Sequence, residues 1–243
     1  MNKSLHIALG VACAVASASA SAQKAGDWVL GTGWLHFAPQ DSSTPLTFTA
    51  PVPAVVPGSG ATVGNANTLG FNAHFFITDH WAVEGVIGVP PRFDLYGSGT
   101  LAPLGKLGSA KQWSPTLVGK YFFGDAQARF RPYLGAGVTY VRYTGVELTS
   151  SLQGTLNSRI GLPPGATTTS GELDSSFAPV LNAGLAWQFD RHWGASLSVS
   201  YIHLKTTADL TTRLVSTGAS VASSQATIKI NPIVTYLALT YRF

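Results

Sequence analysis

The chain has 243 residues, of which only 11% are charged and 11% aromatic, with 26 glycines and a formal net charge of +4. Average soluble proteins carry about 25% charged residues, so an ordinary soluble helical domain is excluded, and the cations form no basic run of the kind that holds nucleic acid. No segment approaches the ~18 unbroken apolar residues of a membrane-crossing helix, so the apolar content must serve β-structure.

Residues 1–22, "MNKSLHIALGVACAVASASASA", place a lysine before an apolar run and small residues before Ala22. This is the layout of a cleaved secretory signal, with a mature chain from about residue 23 to 243. A rival reading makes Cys13 the lipidated residue of a lipoprotein signal, against which stand Gly10 and the short apolar run before it. Cys13 is the single cysteine, so a processed chain has no disulfide framework.

The segment "DWVLGTGWLHF" opens the mature chain, and one of its faces carries Val29, Gly31, Gly33, Leu35 and Phe37. A Gly/Pro-rich stretch, 38–66, follows. "TLGFNAHFF" and "WAVEGVIGV" then alternate around a polar pivot, with Leu69, Phe71, Phe75, Trp81 and Ile87 on one face and Asn72, His74 and Glu84 on the other. Beyond the stretch 90–111, "SPTLVGKYFF" and "RPYLGAGVTYVRY" oppose Leu117, Tyr121, Leu134 and Val138 to Lys120, Gly135, Gly137 and Thr139. After 145–172, "PVLNAGLAWQF" and "WGASLSVSYIHL" form a third pair joined by a short turn around Asp190, Arg191 and His192. After 206–227 the chain closes on "IKINPIVTYLALTYRF".

Alternating segments joined by short turns at one rim and long loops at the other predict an all-β chain, an eight-stranded antiparallel transmembrane β-barrel. The four long stretches would be extracellular loops, with both termini at the periplasmic rim. Trp28, Trp81, Trp187, Trp193, Tyr241 and Phe243 lie near short turns or termini, where amphipathic rings form a membrane girdle. The competing reading is the core of a soluble β-sandwich, which the loop polarity and the signal disfavour.

An eight-stranded barrel has room for its side chains or one small ligand and cannot be a general water-filled porin. Glu84 and Lys120, with His74 nearby, are the charged inward candidates. One reading makes them a buried pair plugging the lower lumen, since an isolated interior charge is costly; the other makes them a floor that turns a ligand sideways. Leu35 and Phe37 form an apolar patch near the upper rim, read either as ligand contacts of an access funnel or as packing beneath a loop. Pro115 and Pro179 mark either interruptions of the wall or simple strand starts.

No nucleophile motif or metal-ligand spacing is present, so neither catalysis nor a metal or other cofactor is expected. Strand-internal "GTG" and "GAG" lack the helix of a nucleotide loop, and their glycines relieve crowding in the lumen.

"GDWVLGTGW", "TDHWAVE", "SPTLVGKYFFGD" followed by "FRPYLGAGVTY", "DRHWGASLSVSY" and the terminal "YRF" resemble the OmpW family of small outer-membrane proteins across the whole mature chain. The resemblance implies a narrow apolar interior and passive passage of small hydrophobic molecules across a Gram-negative outer membrane, with sideways escape into the bilayer. It supplies no catalytic residues. Expected partners are outer-membrane lipid and lipopolysaccharide, small hydrophobic ligands, and the barrel-assembly machinery, through the terminal Phe243; the expected state is a monomer. The alternative function is a closed structural or surface-recognition barrel meeting phages, toxins or host surfaces.

Overall fold

The computed structural model describes residues 23–163 and 165–243; the signal sequence expected over residues 1–22 lies outside them. Eight long strands follow one another around a closed antiparallel barrel: β1 (Trp28–Ala38), β2 (Ala66–Phe76), β3 (Trp81–Gly88), β4 (Thr116–Phe122), β5 (Phe130–Leu148), β6 (Ser176–Gln188), β7 (Trp193–Ile202) and β8 (Ile233–Arg242). Each pairs with its neighbours in sequence, and β1 pairs with β8 from Val29↔Arg242 to Ala38↔Ile233. Closure satisfies every wall strand on both sides, which hydrocarbon requires because it offers no water to a free backbone group. The seam extends to the last residue, whose amide donates to the carbonyl of Trp28 at 3.0 Å. Among the described residues no helix is long and apolar enough to cross a membrane.

Strict period two decides which side chains face out. In β8, Leu237 and Leu239 are half exposed, whereas Val234, Tyr236, Ala238 and Thr240 between them are buried. The same inversion runs through β7, where Leu197 and Val199 face out against buried Ser196 and Ser198. Apolar side chains outside and small or polar ones inside reverse the pattern of a water-soluble sheet, and a continuous apolar exterior of this kind fits lipid.

At the short-turn rim the outward aromatics touch in pairs: Trp28 with Phe75 (5.0 Å between ring centres), Trp81 with Tyr121 (5.1 Å), Trp187 with Phe189 (4.7 Å), and Tyr241 with both Trp193 and Phe243 (5.0 Å each). Trp28, Trp81, Trp187, Trp193 and Phe243 are exposed on the outer surface, and Tyr241 is half-buried among its neighbours. The turn between β6 and β7 is fixed by Asp190, whose carboxylate accepts the amides of His192 and Trp193, each at 2.8 Å.

The four long connections carry strands of their own. Ser59–Val63, Arg92–Gly99 and Lys106–Trp113 form a sheet continuous with the upper half of β5. Thr167–Leu173, Lys205–Leu214, Ser220–Lys229, Thr47–Ala50 and Ala54–Val55 form a second one. A helix, α1 (Ser150–Arg159), begins at Thr149, whose hydroxyl accepts the Leu152 amide, and buries Leu152 and Leu156 against these sheets. Together they make an ordered cap over one end of the barrel.

The interior is too narrow for a Cβ at several positions. One added at Gly184 would stand 2.5 Å from the ring of Tyr133, and one at Gly31 would overlap the Asn72 amide. Glycine there makes room for the larger side chain of its Cα partner on the adjacent strand, Tyr133 or Asn72.

Candidate functional site

The lower half of the lumen is filled. Glu84 from β3 and Lys120 from β4 meet with Nζ to Oε2 at 2.6 Å, their side chains only 4% and 2% exposed. His74 from β2 places Nε2 2.9 Å from the other carboxylate oxygen and 3.2 Å from the lysine nitrogen. Asn72 donates to Glu84 at 3.0 Å and accepts from the Tyr236 hydroxyl at 3.0 Å, and the lysine ammonium lies 4.2 Å from the centre of the Tyr133 ring. The register brings these groups together: His74 is the Cα partner of Glu84, and Lys120 sits two residues from the partner of Glu84, Val118, on the same face. Every charge has an opposite charge and further hydrogen-bond partners, the condition under which burial is tolerable.

Below this cluster Val29, Phe76, Ala82, Phe122, Tyr133 and Ala186 form an apolar layer. Arg131 closes it underneath, donating to the carbonyls of Gln23 (3.1 Å) and Asp79 (2.5 Å) with its guanidinium 5.2 Å from the Phe122 ring centre. Arg242 lies 3.4 Å from Asp27 at the same rim.

Above the cluster the lumen opens into a cavity of about 50 Å³ whose walls include Leu35, Phe37, Val118, Val180, Ile202 and Tyr236, with Glu84 at its base. Leu35 and Phe37, each 5% exposed, therefore do face the upper lumen. A larger cavity of about 120 Å³ lies within the cap, between Ala61, Phe93, Leu107, Tyr143, Leu210 and Ile228. Phe37 and Phe93 stand edge to face at 5.7 Å between ring centres, Phe37 lining the lower cavity and Phe93 the upper. They belong to one buried apolar cluster whose members line both spaces.

The prolines fall differently from each other. Pro179 is inside β6, opposite Val138, and its carbonyl accepts the amide of His203 at 3.1 Å, so the ladder runs through it. Pro115 immediately precedes β4, where the pairing with β3 stops at Thr116↔Val86; Gly88, Pro91 and Ser114 beyond that point line the lumen cavity.

Sequence reading named Glu84, Lys120 and His74 as the plug and put Asn72 on the same inward face, but it gave no lumen role to Tyr236, Tyr133, Phe122 or Arg131, which complete the filled half. Inward parity was the available signal for each, and it gives direction without partner. The cap cavity had no such signal, because its walls come from all four long connections.

A closed up-and-down barrel with an apolar exterior, an aromatic rim and a lumen filled at one end defines a β-barrel protein of the Gram-negative outer membrane. The family model described as "OmpW family" matches residues 24–243. The chain belongs to the OmpW family. It is 31% identical over 237 residues to outer membrane protein W of Vibrio cholerae, covering 97% of both chains. It is 28% identical over 190 residues to the dibenzothiophene metabolism operon protein PahQ of Pseudomonas aeruginosa, covering 77% of each. The crystal structure of the outer membrane protein OprG from Pseudomonas aeruginosa superposes with a TM-score of 0.77 at 25% identity, covering 92% of this chain and 98% of that one.

Proposed function

We propose that this barrel passively admits small, mainly apolar molecules from the capped end and releases them sideways into the bilayer. The observation that carries the reading is the vertical order of the interior: an apolar cavity of about 120 Å³ in the cap, a second of about 50 Å³ beneath it, and then a filled floor. A solute reaching Glu84, Lys120 and His74 would have to strip a charge of its partner to continue, whereas the wall beside it is held by fewer bonds. The β3–β4 ladder ends at Val86↔Thr116 next to the lower cavity, and Pro115 has no amide to extend it, so this seam is the exit the reading favours. A relative whose name ties it to dibenzothiophene metabolism fits a flat, apolar cargo.

The cap would face the outside, where Leu35 and Phe37 serve as the upper-lumen contacts and the charged cluster as the plug. Lipopolysaccharide would contact the wall just below the cap. Lys205 and Lys229 are Cα partners, both exposed, each four residues along the chain from a member of the outward pair Tyr201↔Ile233. Two like charges directly opposite each other are unfavourable unless an anion bridges them, and lipid phosphates supply one. The aromatic rim would sit at the periplasmic interface, with terminal Phe243 read by the assembly machinery and the barrel acting as a monomer.

Uptake of an apolar probe into vesicles with lipopolysaccharide in the outer leaflet tests the reading. Leu35→Arg/Phe37→Arg places two charges in the lower cavity and should abolish uptake above protein-free vesicles. Equal uptake by the variant and the parent would leave a closed structural or recognition barrel as the better account.

A further inference from the structure

Four outward-facing cations share one spacing. Lys111, Arg142, Lys205 and Lys229 are exposed, and each lies twelve residues along the chain from an outward aromatic of the short-turn rim: Phe123, Phe130, Trp193 and Tyr241 respectively. At about 3.3 Å per residue and a strand tilt of about 40°, twelve residues climb about 30 Å, the thickness of the hydrocarbon core of a bilayer. The rings therefore mark one face of the membrane, and the cations stand at the level of the headgroups on the other.

The cations fall into two groups on different sides of the barrel. Lys205 and Lys229 form the pair described above. Lys111 and Arg142 form the other, above β4 and β5. Arg142 has Trp113 as its Cα partner and Lys111 has Thr144, which makes the two cations diagonal neighbours about 7–8 Å apart. Lys111 also faces Arg92 directly on its other side. Arg92 is engaged, donating to the Glu147 carboxylate at 2.8 Å and to the Ser109 hydroxyl at 3.2 Å. No ion pair among the described residues involves Lys111 or Arg142. Immediately below them on the outer wall, Tyr140 and Phe177 are exposed with ring centres 4.9 Å apart, and Trp113 is exposed beside Arg142. Rings at the edge of an apolar wall with cations just beyond are what the border between lipid tails and headgroups requires.

We infer that Lys111 and Arg142 form a second lipopolysaccharide site, which takes a phosphate of the lipid A headgroup while acyl chains lie against Tyr140 and Phe177. The site is separate from the Lys205–Lys229 contact and from uptake, and each can fail without the others. Ala110, Gln112 and Tyr143, the chain neighbours of Lys111 and Arg142, line the cap cavity, as do Thr206, Ile228 and Ile230 beside the lysine pair. A phosphate on each pair of cations therefore stands just outside the cavity wall. Because Glu147 already offsets the opposed charges of Arg92 and Lys111, filling this site relieves little repulsion, and occupancy reports it better than heat stability.

The test titrates the folded full chain in detergent with lipid A and with the same lipid stripped of phosphate, and counts bound lipids by native mass spectrometry. The parent should hold two phosphorylated molecules, and the stripped lipid should bind no more than it does to empty micelles. Lys111→Gln/Arg142→Gln should keep its folded band on a gel and hold one lipid, the second binding about thirtyfold more weakly. Lys111→Arg/Arg142→Lys should hold both. Glu147→Gln removes the carboxylate that competes with the phosphate and should tighten this site. The site is overturned if the parent holds only one lipid, if Lys111→Gln/Arg142→Gln holds two at parental affinity, or if the stripped lipid binds as tightly. It is overturned equally if combining that variant with Lys205→Ala/Lys229→Ala loses no more lipid than either alone, which would make the two groups one site.

Discussion

Replacing Lys120 by methionine keeps the length and bulk of the side chain and removes only its charge, so the loss reports the buried ion pair and not a new cavity. The pair is 2.6 Å apart with both side chains at 4% exposure or less, and its carboxylate would be stranded by the change. Breaking a buried pair on one side costs about 3–5 kcal/mol. Glu84 keeps His74 at 2.9 Å and Asn72 at 3.0 Å, which places the expected loss at the lower end, about 3 kcal/mol. Glu84→Gln/Lys120→Met removes both charges and leaves a neutral amide able to use the same two partners, so it should recover at least half of that loss. Urea titration of the chain refolded into vesicles, followed by heat-modifiable gel mobility, gives the two values. A double variant as unstable as Lys120→Met would refute the argument, because it would show that the cost comes from packing and not from an unpaired charge.

At the short-turn rim, the backbone amides of Trp193 and His192 hold the Asp190 carboxyl below the usual carboxylate range. A depressed folded value means that its contribution is complete above the ordinary carboxylate pKa and is lost as the pH falls through the folded one. The urea midpoints of the parent chain and Asp190→Ala should therefore differ at pH 7 and converge in strong acid; a constant gap would remove the carboxylate from the explanation. Leu35→Arg/Phe37→Arg should abolish uptake of an apolar probe while the folded band persists on a gel. Lys205→Ala/Lys229→Ala should lose most of the heat stabilisation that added lipopolysaccharide gives the parent chain in detergent, and an equal stabilisation of both would rule out the lysine pair as a phosphate contact.

The wall was legible because lipid and a narrow lumen constrain it from both sides. In "SLSVS" of β7 the outward positions must be apolar and the inward ones small, so a shift of one residue in the register would violate both requirements. Glu84 and Lys120 stood out because a charge facing into such a barrel needs a partner within reach, and hairpin neighbours were the only candidates. Phe122 was hidden by its setting: between Tyr121 and Phe123 it looks like one more girdle ring, although its own parity turns it inward to 1% exposure. Arg131 was hidden likewise, because its partners are backbone carbonyls of residues far away in the chain and leave no mark in the sequence.

The cap lies beyond this kind of reading for a physical reason. Its strands alternate, but the buried positions are often Thr206, Thr212, Ser224 and Thr169, whose polarity hides the period that an apolar face would show. Their hydrogen bonds also close locally: Thr169 and Thr212 bind each other across the sheet at 2.9 Å, so buried hydroxyls serve as packing there. The pairing is as distant as Phe48↔Ser224, and no turn motif announces a ladder between the first and last long connections. A cavity assembled from four such segments can be recognised only once they are folded together.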